Sequence, residues 1–438
     1  FNMGKECNGD YSHVLKYTSV FGSVQGLNIL SALARNKVAA IFLGPEGMGL
    51  ASLLSTTANF LTQTAGLGIS VSAVRHVSAC FEEGDEEKIL HFVRVVRVWC
   101  MMAALLGTLL SVCAGYWILI PSVVFMIMGG GEMAILKGAR RLRSLAIIQA
   151  IGSVAGMIIS VVLYWLYGMD AIVYVVNLMA VASMLPALWC GYRLYAPDFT
   201  FSRQVMGDGV GMLRLGVAFT LAAMVGSGAE LFIRRWLEME SGLGDVGLYN
   251  AGYLLTVTYM GVVFAAMDND YYPRLSAVSE AKETNTLVNR QMEVLLWLVT
   301  PFLALMILCL PWLVPLLLSS NFSPIVMMAQ IAAVSLVFKA ATLPVAYITL
   351  ARGRSVAYLI CESAYYMVFV PLVIVGYRKW GVTGTGVAIL IAHVFDFLMI
   401  HLYAYHAFGY RLSMRTLYII IAALTIVSAA LWVGVSVL

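Results

Sequence analysis

Three cations stand where cations are costly. Arg35, Lys37 and Lys339 each fall inside a stretch of chain long enough and apolar enough to cross a bilayer. A charged side chain at the bilayer centre costs from about 3 to more than 10 kcal/mol, so it is expected to face a wet, protein-lined interior and to meet an anion there. Three of them together predict an anionic substrate. On the first apolar stretch Gln25, Asn28 and Arg35 recur at spacings of three and seven and, with Ala32, form one narrow helical stripe, whereas Lys37 projects nearly opposite Asn28. Arg35 lies roughly 12 Å below the outer end of its stretch at 1.5 Å per residue, too deep for relaxed snorkelling.

Four acids share the apolar stretches: Glu132, Glu230, Glu362 and Asp396. Asp396, at mid-stretch like Lys339, and Glu362, roughly 12 Å from a helix end, are each placed to neutralise that lysine. His393 precedes Asp396 by three residues on one helix face, a spacing that suits a shared proton and equally suits a structural histidine. Glu230 and Arg234 are spaced for a salt bridge across one turn, with Arg235 reaching the interface. Glu132, beside Gly129-Gly130-Gly131, is expected to bond exposed backbone. No nucleophile–base pair, phosphate loop or metal-ligand spacing occurs, and the seven scattered cysteines read as buried small hydrophobes.

The elements that must position these groups are membrane helices. Hydrophobic residues make up 61% of the 438 residues and charged residues 11%, far from the usage of soluble domains. Apolar runs of spanning length can be drawn at 17–43, 47–73, 92–120, 121–138, 144–167, 171–193, 213–236, 244–267, 291–318, 324–350, 354–376, 382–407 and 415–438, thirteen in all. The third and fourth abut at Ile120-Pro121 with only a proline and a serine as turn residues, so an external loop missing from the chain is expected there. The apolar run still open at Leu438 suggests a further span. With the N-terminus cytoplasmic, twenty of the twenty-seven lysines and arginines fall on that side, which sets the orientation; the net charge of +4 is then topology rather than a nucleic-acid signal. The charged run from Glu82 to Lys88 reads as a solvated helix end.

The chain also repeats itself. Gly44-Pro-Glu-Gly-Met-Gly49-Leu50 corresponds to Gly242-Leu-Gly-Asp-Val-Gly247-Leu248, Val74-Arg75 to Pro273-Arg274, and Leu136-Lys137-Gly138-Ala139-Arg140 to Ala351-Arg352-Gly353-Arg354. Each match lies six spans apart, an even number, so the halves share one orientation and are related by an axis along the membrane normal. The fold expected is an all-α polytopic membrane protein of two six-helix lobes with pseudo-twofold symmetry, 1–194 and 211–408. A cytoplasmic linker at 195–210 joins them, and one or two extra C-terminal helices begin at 409. Arg75 and Arg274 then sit where their helices leave the membrane on the cytoplasmic side and form a gate there.

The stretch Ala39-Ala40-Ile41-Phe42-Leu43-Gly44-Pro45-Glu46-Gly47-Met48-Gly49-Leu50, followed by Leu136-Lys137-Gly138 and by Asp270-Tyr271-Tyr272-Pro273-Arg274-Leu275-Ser276, resembles the Wzx-type flippases of O-antigen and related lipid-linked oligosaccharides. Phe338-Lys339 through Ala346-Tyr347-Ile348-Thr349-Leu350-Ala351-Arg352-Gly353 to Glu362 is similar to the enterobacterial common antigen flippase, and the likeness runs in order over about the first 408 residues. Arg35 matches an arginine of the lipid II flippase that an aspartate follows; here Asn36 follows. Lys37 matches a lysine of the enteric flippase. The resemblance implies the multidrug/oligosaccharidyl-lipid/polysaccharide (MOP) exporter superfamily and a non-enzymatic, inner-membrane flippase acting by alternating access. The substrate implied is an undecaprenyl-pyrophosphate oligosaccharide, held by Arg35, Lys37, Lys339, Gln25 and Asn28. Asp396, Glu362, Glu230, Arg234 and His393 would be coupling or charge-pairing groups for a proton or sodium ion, with no other cofactor and no metal. The partners implied are that substrate, membrane lipids and other polysaccharide-assembly proteins, and no nucleic acid. A multidrug exporter of the same superfamily is the rival reading, favoured by acids without matching cations. A membrane polymerase or ligase is another, and would need a large external loop.

Overall fold

The computed structural model describes residues 24–278 and 280–436, without the side chains at 214–215, 217–219, 262, 265–270, 273 and 355. Lys5, Lys16 and the start of the expected first span lie outside the described residues, as do the side chains of Asp270 and Pro273. Among the described residues every regular element is a helix. In chain order they are α1 (24–42), α2 (Gly44–Gly66), α3 (Ile69–Glu83), α4 (Glu86–Cys113), α5 (Ile120–Gly138), α6 (Leu142–Tyr167) and α7 (Ile172–Leu194). They continue as α8 (Arg203–Ser241), α9 (Leu243–Tyr253), α10 (Tyr259–Ala277), α11 (Ala281–Leu317), α12 (Ile325–Ala351), α13 (Ser355–Phe408) and α14 (Met414–Ser436).

Seven helical stretches of the described chain are long and apolar enough to cross a membrane. Two of these, Leu142–Leu194 and Val356–Phe408, each hold two helices: α6 with α7, and the halves of α13 on either side of a break at Trp380 and Gly381. Nine of the thirteen expected spans are met in this way. The other four coincide with helices that are broken, more polar or partly described. The expected span 47–73 is one of them. Leu67 and Gly68 both take left-handed backbone, φ 47° and 72°, and split it into α2 and α3.

The joint between α4 and α5 corrects another expectation. The turn occupies 114–119 rather than Ile120-Pro121: Gly115 turns the chain with φ +77° and a single 3-10 turn follows over Trp117–Leu119. Pro121 sits in the first turn of α5, where no backbone N–H is needed. Asn177 on α7 satisfies the rest, accepting from the Ser122 N–H at 3.0 Å and its hydroxyl at 2.7 Å and donating to the Ile118 carbonyl at 2.9 Å. Hydrogen bonds from α7 thus close the joint.

The helices divide into two compact units. Unit 1 runs to Leu43 and from Leu54 to Thr220; unit 2 comprises Gly44–Leu53 and everything from Leu221 onward. In unit 1, α3, α4 and α5 close over a core that includes Ile69, Val95, Val96 and Ile135. In unit 2, α11, α12 and α14 bury Leu303, Ile307, Leu336, Val337 and Val427. Large apolar side chains cover the outside as well: Trp165, Trp297 and Trp432 are 68%, 69% and 81% exposed. Such a surface suits hydrocarbon, not water. Of the six described cysteines, all free thiols, only Cys80, Cys100 and Cys361 are buried, and Cys113 is exposed, so the reading of all as buried hydrophobes holds for half of them.

Within unit 2 the first sequence repeat becomes a contact. A β-carbon added to Gly49 would meet the Leu243 carbonyl and, at 2.9 Å, the Gly247 nitrogen; one added to Gly247 would meet the Pro45 carbonyl and, at 3.0 Å, the Gly49 nitrogen. The two copies of the motif therefore cross at their equivalent glycines, backbone against backbone.

Candidate functional site

Three charged groups of unit 2 gather around a cavity of about 120 Å³. Lys339 enters it from the middle of α12, Glu362 from the first half of α13 and Asp396 from the second. Lys339 Nζ lies 4.0 Å from Asp396 Oδ2, and the Tyr358 hydroxyl reaches Glu362 one turn along α13. Thr342, Leu343, Ala346 and Ile400 complete an otherwise largely apolar wall. Two carboxyls thus face one ammonium. Lys339 is already met by an acid of its own unit.

His393 is buried on the same half of α13. Its Nδ1 donates to the Ile389 carbonyl at 2.9 Å, so that nitrogen is committed to its own helix and not to Asp396, and its ring stands edge-on to Tyr365 at 5.6 Å. A second charged group in unit 2 surrounds Arg234, which is 5% exposed. Its guanidinium donates to Ser52 at 2.9 Å, to the carboxylate of Glu230 at 3.2 Å and to Asn250 at 3.2 Å, tying α8 to α2 and α9. Arg235 pairs with Glu238 at 2.6 Å.

In unit 1, Arg35 and Lys37 are both half-buried on α1, and Arg35 stands within electrostatic reach of Tyr164 on α6. Asn28 donates to Gln25 at 3.5 Å, while its own carbonyl oxygen is buried among the described residues without a partner. Arg75 is exposed partway along α3, which continues past it to Glu83. Arg274 does lie in the last turn of α10.

Sequence reasoning missed the most buried ion pair of the described residues. Arg97 and Glu132, each 2% exposed, meet through two hydrogen bonds of 2.6 and 3.1 Å. Arg97 also donates to the carbonyls of Ala196 at 2.8 Å and Gly191 at 3.1 Å, and lies 4.8 Å from the ring of Tyr192. Glu132 therefore takes a guanidinium, not the backbone it was expected to bond. A side chain at Gly191 would occupy the place of the carboxylate. The available signal was Arg97 five residues into an apolar run, which positive-inside counting assigned to the helix end. Nearby, Arg94 pairs with Asp198 at 2.5 Å and His91 lies 2.7 Å from Asp208, fastening the segment after α7 to α4. Hydrogen bonds from Thr200, then the Arg94 charge, hold the Asp198 carboxyl below its usual range. Among the described residues no cluster of side chains suits a metal ion.

A family model described as polysaccharide biosynthesis protein matches residues 38–327. No curated protein sequence matches the chain. Among solved structures, an inward-facing multidrug resistance transporter of the MATE family, MOP superfamily, superposes with a TM-score of 0.70 at 15% identity, covering 90% of this chain and 98% of that one. The lipid II flippase MurJ in an inward closed conformation does so with 0.66 at 13%, covering 95% and 99%. A MOP superfamily transporter from Pyrococcus furiosus, described as having a binding pocket of reverse polarity, gives 0.60 at 15%, covering 88% and 93%. At such identities the likeness shows the fold alone: a multi-pass, all-helical membrane fold whose other bearers here are transporters and flippases, not enzymes.

Proposed function

We propose that this chain, which belongs to the polysaccharide biosynthesis protein family, is a flippase for a lipid-linked oligosaccharide. In this reading an undecaprenyl-pyrophosphate oligosaccharide passes from the cytoplasmic to the periplasmic leaflet of the inner membrane by alternating access of two lobes, and the N-terminus is cytoplasmic. The family match carries the reading, and the MOP fold supports it. Arg35 and Lys37, with Gln25 and Asn28 on the same helix, are the groups suited to pyrophosphate and sugar hydroxyls, because charge-assisted hydrogen bonds replace lost hydration. Lys339 belongs with Asp396 and Glu362 in a coupling cluster: a proton or sodium ion taken up by Asp396 would release the lysine from that acid towards Glu362 and bias the conformational equilibrium.

The test is transport in vesicles loaded with a defined lipid-linked oligosaccharide. Wild-type protein should move it, and neutralising the cluster with Asp396→Asn or Glu362→Gln should change the pH or sodium dependence of the rate. Equal ion dependence in both variants would remove the coupling role and leave the flippase standing. A second reading, multidrug export, is favoured by the excess of acid over base in the same cavity. Uptake of cationic drugs with no movement of the glycolipid would establish it and end the first.

A further inference from the structure

α11 and α14 begin side by side at one end of unit 2. Three polar residues one turn apart on α11, Asn285, Asn289 and Glu293, hold the strand that leads into α14. Asn285 accepts from the Arg411 N–H at 3.2 Å, Asn289 donates to the Arg411 carbonyl at 3.1 Å and accepts from the Ser413 N–H at 2.9 Å, and Glu293 pairs with Arg415 at 3.3 Å and accepts from Thr416 at 3.0 Å. The strand is thereby fixed as one wall of a cavity of about 680 Å³ lined by Arg290, Arg411 and Arg415. Glu293, the single carboxylate in that wall, is already engaged, so three arginines outweigh it by two charges. Arg290 also lines an adjoining cavity of about 990 Å³ with Arg274, Lys282 and the acids Glu280 and Glu283, so the cationic excess is greater in the first cavity.

Both helices turn apolar and exposed within a turn or two of the arginines. On α11, Val294, Trp297 and Leu298 follow Arg290 by four, seven and eight residues, on its face of the helix, and are 60%, 69% and 59% exposed. On α14, Tyr418 follows Arg415 by three and is 69% exposed. The two helices run the same way from the cavity, since Gly434 near the end of α14 lies beside Ile307 of α11. A cationic cavity opening directly onto exposed apolar helix faces matches a molecule with a phosphate at one end and hydrocarbon at the other. We propose that this is a binding site for an anionic phospholipid, its headgroup phosphate among Arg290, Arg411 and Arg415 and its acyl chains along the outer faces of α11 and α14.

The probe is phosphatidylglycerol, titrated into the purified, delipidated full chain in nonionic detergent, with bound lipid read by native mass spectrometry and by the shift of the thermal unfolding midpoint. Phosphatidylcholine and inorganic phosphate are run in parallel. The variant is Arg290→Gln with Arg411→Gln: both side chains are exposed and, among the described residues, neither has an ion-pair partner. The control is Arg143→Gln, an exposed cation of unit 1. Phosphatidylglycerol should bind and stabilise the wild type and the control, and its affinity should fall about tenfold or more in the double variant, at roughly 1 kcal/mol per basic residue. If the double variant elutes as an aggregate, Arg411→Gln alone is compared, with about a fivefold loss expected. Undiminished binding in a folded variant overturns the proposal, as does equal binding of phosphatidylcholine. Stabilisation by inorganic phosphate equal to that by phosphatidylglycerol also overturns it, and marks a free-phosphate site instead.

Discussion

At Arg97 the guanidinium is occupied on every side, by Glu132, by the carbonyls of Gly191 and Ala196 and by the face of Tyr192. Removing one member of such a pair leaves a bare buried charge and costs about 3–5 kcal/mol, whereas replacing both by apolar side chains of similar size is often close to neutral. Arg97→Ala should therefore lower the thermal unfolding midpoint in detergent strongly, and Arg97→Met with Glu132→Leu should recover most of the loss. A midpoint for Arg97→Ala equal to that of the wild type would show that the pair is not what secures α4 to α5. The Lys339–Asp396 contact is looser, 4.0 Å with the lysine side chain about a third exposed. The sequence made Lys339, Asp396 and Glu362 legible as a group because each sits deep in an apolar run. Arg97 was not legible, because depth within a helix cannot be judged when α4 begins with charged residues and only the fold reveals which carbonyls surround it.

Among the elements, the crossing of α2 and α9 depends on two hydrogen atoms. Gly49 and Gly247 allow the backbones to touch, and a methyl group on either one collides with main-chain atoms that have no rotamer to escape into. Overpacking of this kind costs about 1–3 kcal/mol. Gly49→Ala and Gly247→Ala should each lower the unfolding midpoint, more than Gly207→Ala, where open space surrounds the site. Three equal midpoints would contradict the close crossing. The glycine repeat itself was plain in the sequence, but that its copies meet each other was not, since a repeat states equivalence and says nothing of contact. Helix ends were legible where charge or proline marked them. The break at Leu67 was hidden because leucine ordinarily continues a helix, and the joint at 114–119 was hidden because its turn is satisfied by Asn177, fifty-five residues beyond Ser122.

For the molecule as a whole, composition alone carried the membrane assignment, and the exposed faces agree with it. Trp165 and Trp432 should lie against lipid, whereas the Trp99 indole donates to the Val205 carbonyl at 3.3 Å. In bilayers of bromine-labelled lipid, Trp165→Phe and Trp432→Phe should each reduce the fraction of quenchable fluorescence, and Trp99→Phe should not. The reverse pattern would mean that the apolar surface is covered by something other than lipid. What composition could not convey is how the two copies of the glycine motif meet, which the α2–α9 crossing shows. Gly49 meets the Leu243 carbonyl and Gly247 meets the Pro45 carbonyl, residues that correspond in the repeat, so each copy treats the other alike. Such reciprocity is how two identical subunits touch across a twofold axis. In a dimer of identical subunits one substitution would strike both sides of such a contact, whereas here Gly49 and Gly247 can be changed one at a time.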